Sequence, residues 1–119
     1  MQSRYLYASV TATGQLFFDM PSNSTIKGCQ FAFNNPVAAA GDLLEVEVSL
    51  ASTNQTAVTD ALNVVAIASV GVSSTAGATT CNSVYMPADM PVKAGERVYV
   101  NYTETGTSTW KLRVLVYFT

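Results

Sequence analysis

The chain has 119 residues, 49% of them hydrophobic and only 12% charged, with a formal net charge of −2. That length suffices for one domain with one core, and charge at about half the usual share leaves Thr, Ser, Asn and Gln to make the polar surface. There is no histidine, and the six basic residues (Arg4, Lys27, Lys93, Arg97, Lys111 and Arg113) form no run. This argues against a zinc site, against histidine-dependent catalysis and against a nucleic-acid partner, which needs several phosphates neutralised.

Period-two alternation dominates the chain, and no helical period competes with it. The first run, 4–12, sets Leu6, Ala8 and Val10 on one face and Tyr5 and Tyr7 on the other, and Gly14 ends it. The second, 15–20, has Leu16, Phe18 and Met20 in phase before a turn cluster that opens at Pro21. The third, 26–33, alternates Cys29, Phe31 and Phe33 with Gln30 and Ala32, and Asn34, Asn35 and Pro36 close it. The fourth, 42–50, sends Leu44, Val46, Val48 and Leu50 to a core and Leu43, Glu45, Glu47 and Ser49 to water. Residues 52–61 read as a loop or one helical turn. The fifth run, 62–72, is apolar on both faces and reads as a strand covered on both sides; 73–78 is a loop of small residues. The sixth, 79–86, ends at a stiff connection bracketed by Pro87 and Pro91.

The seventh, 96–103, follows Lys93, Ala94 and Gly95, and a hairpin-type turn over 105–107 leads to the eighth, 109–118. In that last run Trp110, Leu112, Val114, Val116 and Phe118 face one way, and Lys111, Arg113, Leu115 and Tyr117 the other. About eight short strands with regular turn signals predict an all-β fold: a single antiparallel β-sandwich, jelly-roll-like, occupying 1–119 as one domain. No linker divides the chain and no internal repeat is visible.

Without histidine, neither a Ser-His-Asp nor a Cys-His arrangement can be built. The eight carboxylates are Asp19, Asp42, Glu45, Glu47, Asp60, Asp89, Glu96 and Glu104. A glycosidase sets two of these across a cleft. Glu45 and Glu47 share one strand face, which reads as a solvated face that keeps the protein soluble. No calcium loop, Walker-type glycine loop or cofactor motif is present. The expectation is therefore no catalytic residue, no metal, no cofactor and no enzymatic activity.

Cys29 and Cys81 are far apart in sequence. A disulfide between them needs adjacent β-carbons, and buried free thiols are the favoured reading. The Asn-x-Ser/Thr triplets at Asn23, Asn54 and Asn101 read as coincidence in a chain rich in Asn and Thr. The first residues lack the charged start and apolar stretch of a signal peptide, and no apolar run is long enough for a transmembrane helix. Cytoplasmic synthesis and no membrane partner are expected.

The aromatic residues Tyr5, Tyr7, Tyr85, Tyr99, Tyr102, Tyr117 and Trp110 divide among three roles. They pack in strands, form subunit interfaces or stack on sugars. Tyr5, Tyr7, Tyr99 and Tyr117 are the candidate interface residues. A surface this poor in charge is only lightly protected by repulsion, which suits a protein packed against neighbours.

Residues 91–101 (PVKAGERVYVN) and 110–118 (WKLRVLVYF) together resemble small viral jelly rolls. A similar glycine–acidic turn before a strand, with a closing strand ending in aromatics, occurs in C1q/TNF-like heads. Such domains serve in phage virions as capsid decoration (cement) proteins and as fibre tips, and the low-charge middle, 49–80, also looks like phage structural proteins. The resemblance implies a bacteriophage virion protein made in the host cytoplasm. Its leading form is a capsid decoration protein, a homotrimer that binds the viral major capsid protein. The alternative it implies is a receptor- or carbohydrate-binding tip of a tail or head fibre. No site residue is carried over. A small jelly-roll hydrolase is a third reading, disfavoured by the missing histidine and metal ligands.

Overall fold

A computed structural model describes residues 1–35, 43–50, 64–71, 80–105 and 109–119, with the backbone alone at 35, 64, 66–71, 80–82 and 105. Eight strands form: β1 (Gln2–Val10), β2 (Gly14–Asp19), β3 (Ser24–Asn35), β4 (Leu43–Ser49), β5 (Val64–Gly71), β6 (Thr80–Val92), β7 (Arg97–Thr105) and β8 (Trp110–Phe118). Four antiparallel pairings nest inside one another: β1 with β8, β2 with β7, β3 with β6 and β4 with β5. The chain is thus one long double ribbon whose far end is the β4–β5 connection.

Rolling the ribbon adds the pairs β3–β8 and β4–β7. It also divides the strands between two sheets, β1-β8-β3-β6 (sheet A) and β2-β7-β4-β5 (sheet B). Nested pairs dealt alternately to two sheets make a jelly roll, so the expected eight-stranded antiparallel sandwich is the fold that forms.

The core lies where the inner faces meet. Sheet A contributes Leu6, Val10, Phe31, Phe33, Trp110, Leu112, Val114 and Val116, and sheet B contributes Phe18, Leu44, Val46, Val48, Val98 and Val100, all buried. The strict alternation read in the last strand holds. Its five inward residues are buried, and β8 lies between β1 and β3 in the middle of sheet A. Trp110 is wholly buried, and its indole Nε1–H has no hydrogen-bond partner.

The turn before β7 needs Gly95 for conformation rather than space. Its φ is +84°, in the left-handed region that favours glycine, and nothing lies within 4 Å of where a Cβ would sit. Gly95 and Met20 tie this turn to the end of β2 through Gly95 N–H to Met20 C=O and Met20 N–H to Glu96 C=O, each 2.9 Å.

Two expectations about strand limits need correction. Gly14 does not end a strand; it begins β2. Pro87 and Pro91 do not bracket a connection; β6 runs through both. Its alternation continues unbroken, with Ser83, Tyr85, Pro87, Asp89 and Pro91 exposed and Val84, Met86, Ala88, Met90 and Val92 turned inward. The physical reason is position. β6 is an edge strand of sheet A, where a missing N–H need not break a ladder. Pro87 also pairs with Gly28 beside the register shift between Ile26 and Gly28. The readings of 52–61, of 73–78 and of the tip of the 105–107 turn lie outside the described residues, as do the β5 side chains that would show whether both its faces are covered.

Cys29 is a buried free thiol, as favoured from sequence. Burial pushes its pKa up to about 12, which leaves almost no thiolate at neutral pH, and the thiolate is the nucleophile. Iodoacetamide should therefore leave Cys29 unmodified in the native protein and label it on unfolding, as read by peptide mapping; native labelling at a free-thiol rate would contradict its placement.

Candidate functional site: an aromatic sheet face

In a strand every second side chain leaves the core, so sheet A has a second, outward face. The pairing register lays it out in rows. Tyr5 on β1 stands beside Leu115 on β8, Gln30 on β3 and Tyr85 on β6. The next row is Tyr7, Arg113, Ala32 and Ser83. On the other side lie Ser3, Tyr117, Gly28 and Pro87. Tyr5, Tyr7 and Tyr85 are 52%, 44% and 49% exposed, and Tyr117 and Leu115 are half-buried among them.

Local contacts organise this face. The Tyr85 ring covers Gly28, where any Cβ would collide with the ring, and the Tyr85 hydroxyl donates to the Lys27 carbonyl at 3.3 Å. Tyr85 and Tyr117 then meet at 6.3 Å between centroids, tilted by 57°. Gln30 Nε2 donates to Ser83 Oγ at 2.6 Å, and the Arg113 guanidinium lies 5.8 Å from the Tyr7 ring centroid. Lys111 and Arg113 are exposed here, and the outward rows of β1, β3 and β8 contain no carboxylate. At the margin, Lys27 pairs with Asp89 at 2.9 Å.

The outer face of sheet B differs. Phe17 is 50% exposed, with the Arg97 guanidinium 4.2 Å from its ring centroid and the ring of Tyr99, its pairing partner on the same neighbouring strand β7, at 6.2 Å. Arg97 Nε donates to Asp19 Oδ1 at 2.9 Å, and this bond holds the Asp19 carboxyl below its ordinary value. Glu45 is exposed on β4, but Glu47 is not the solvated residue its position suggested: it is 8% exposed. Its pairing partner on β7, Asn101, is 5% exposed, with neither end of its amide hydrogen-bonded. So buried a residue is a poor glycan acceptor, in keeping with a coincidental triplet.

Burial raises the Glu47 carboxyl above its ordinary 4.5, opposed by a hydrogen bond with Ser49. A raised pKa in the folded state means that this stabilisation is complete below the unfolded value and is lost as pH rises through the folded one. Glu47→Gln should therefore melt higher than wild type at pH 7, with the difference shrinking toward pH 4. Parallel thermal melts across that range check it, and equal melting at both ends would contradict the burial of the charge.

Of the candidate interface residues, the structure brings Tyr5, Tyr7 and Tyr117 onto one face and puts Tyr99 on the opposite sheet. Tyr85 joins the first group. The sequence already places Tyr85 in the sixth strand, 79–86, but the face it shares with Tyr5 and Tyr117 is set by the pairing register, which no local pattern carries. Among the described residues no cluster of three metal-ligating side chains exists, and no helix is long and apolar enough to cross a membrane.

No protein-family model matches the chain, and no curated protein matches it. Solved structures do. One is the Eiger TNF of S. frugiperda, at 8% identity and TM-score 0.45, covering 96% of this chain and 90% of that one. Two others are chains from infectious bursal disease virus. The Gx strain matches at 14% identity and TM-score 0.32, over 97% of this chain and 32% of that one. The Gt strain matches at 15% and 0.34, over 98% and 31%. The chain thus spans about a third of the length of the viral chains it matches. All three TM-scores fall below 0.5, and the jelly-roll assignment rests on strand order.

Proposed function

We propose that this chain is a structural protein of a virion that acts by docking its aromatic sheet face onto other protein subunits. The observation that carries this reading is the patch of Tyr5, Tyr7 and Tyr85, about half exposed and grouped around Leu115 and Tyr117. Tyrosine gives a large contact area at low entropic cost and is enriched where protein surfaces bind. In its finer form the proposal is a bacteriophage capsid decoration protein, a homotrimer seated on the lattice of the major capsid protein. Each copy then adds a modest contact, and multivalency supplies the net strength.

A fibre tip that binds a glycan is the second reading. It draws on the same exposed rings, with Gln30 and Ser83 beside them as hydrogen-bonding groups. Copy number separates the two: quantitative mass spectrometry of purified particles should find hundreds of copies for decoration and a few to tens for a fibre or tail part. Absence from the particle would overturn both.

The proposed role is not enzymatic. A glycan and ester hydrolysis screen is expected to show no turnover; turnover abolished by Glu45→Gln or Glu47→Gln would overturn this.

A further inference from the structure

The two outer faces are unlike in charge. The aromatic face of sheet A carries Lys111 and Arg113 and no carboxylate in the outward rows of β1, β3 and β8, whereas sheet B carries Glu45 exposed on β4 and cancels Asp19 against Arg97. Arg113 and Glu45 hold corresponding places: each is exposed, on an inner strand of its sheet. Both faces also present exposed rings, Tyr5 and Tyr7 on one and Phe17 on the other.

Resting on the reading that the chain works by docking through its aromatic face, we propose that the occupant of that face is a second copy of this chain. That copy presents the outer face of its sheet B, so that Arg113 of one copy meets Glu45 of the next. Sheet A against sheet A would set Lys111 and Arg113 of two copies together, because the one carboxylate among its described outward residues, Asp89 on β6, is already paired with Lys27, and like charges across an interface are strongly unfavourable. Sheet A against sheet B pairs the charges instead. Such a contact joins two different patches, the heterologous type from which rings and open chains are built.

The test is a charge exchange read by sedimentation equilibrium, from about one to tens of micromolar, the range of modest affinities. Wild type should gain mass with concentration. Arg113→Glu alone and Glu45→Lys alone should each associate at least about tenfold more weakly, because each sets like charges together. Mixed in equal amounts they should recover association, since the reversed face of one then matches the reversed face of the other. Thermal melts establish that both variants fold, and Lys111→Glu, on the same face, replaces Arg113→Glu if that variant does not. A mixture that stays as weak as its components, or a single variant that associates like wild type, overturns the contact and leaves docking onto a different subunit standing. A wild type that is monomeric throughout overturns self-association, while loss of particle binding in Tyr5 and Tyr7 variants still tests the docking reading separately.

Discussion

Trp110→Ala is expected to lose about 3–5 kcal/mol of stability, the usual result of truncating a fully buried aromatic ring. A domain of this size has only about 5–15 kcal/mol in all, so the variant should stand near unfolding or fail to accumulate as soluble protein. The reason lies in placement. Trp110 is the first residue of β8, pairs with Val10 of β1 and belongs to a series buried at every second position through Phe118.

Two companion variants separate packing from polarity. Trp110→Phe also removes the indole N–H, which has no partner. An unpaired buried donor costs about 1–3 kcal/mol, so this variant should lose much less than Trp110→Ala. Lys111→Ala, on the exposed face, should change stability by about 0.5 kcal/mol or less. Denaturant melts of the three decide the matter, and a Trp110→Ala protein that melts like wild type would contradict the packing described.

The second large effect is on association. The double variant Tyr5→Ser, Tyr7→Ser should weaken docking about 100-fold or more, taking each ring as a hot spot of roughly 2 kcal/mol and tenfold per 1.4 kcal/mol. Both rings are half exposed, so the melting temperature should move little. Gly28→Ala provides an independent check that leaves every ring in the sequence. A methyl group at 28 collides with the Tyr85 ring, whose exposed end can swing aside, giving up its bond to the Lys27 carbonyl. Docking should weaken without loss of fold. Unchanged binding in both variants, measured by pelleting with particles or by sedimentation, would contradict the assignment of this face.

The inward half of the molecule was readable from the sequence. Leu6, Ala8 and Val10, then Phe31 and Phe33, then Trp110 to Phe118 alternate cleanly, and all are core. What the sequence obscured has physical causes. Pro87 and Pro91 read as breakers because a proline lacks the ladder donor, a rule that loses force on an edge strand. Glu47 read as solvated because period two assigns a face to each residue but does not say what covers that face. Tyr5, Tyr7 and Tyr99 looked equivalent along the chain. The sheet a strand joins is set by how the ribbon rolls, a long-range property that no local pattern carries, and it sends Tyr99 to the other side of the sandwich.

The docking of the aromatic face can be tested by nitrating tyrosines in the assembled and the dissociated protein and mapping the products by mass spectrometry. Tyr5, Tyr7 and Tyr85 should react in the free chain, where they are about half exposed, and be protected in the assembly. Equal modification of all three in both states would contradict the docking.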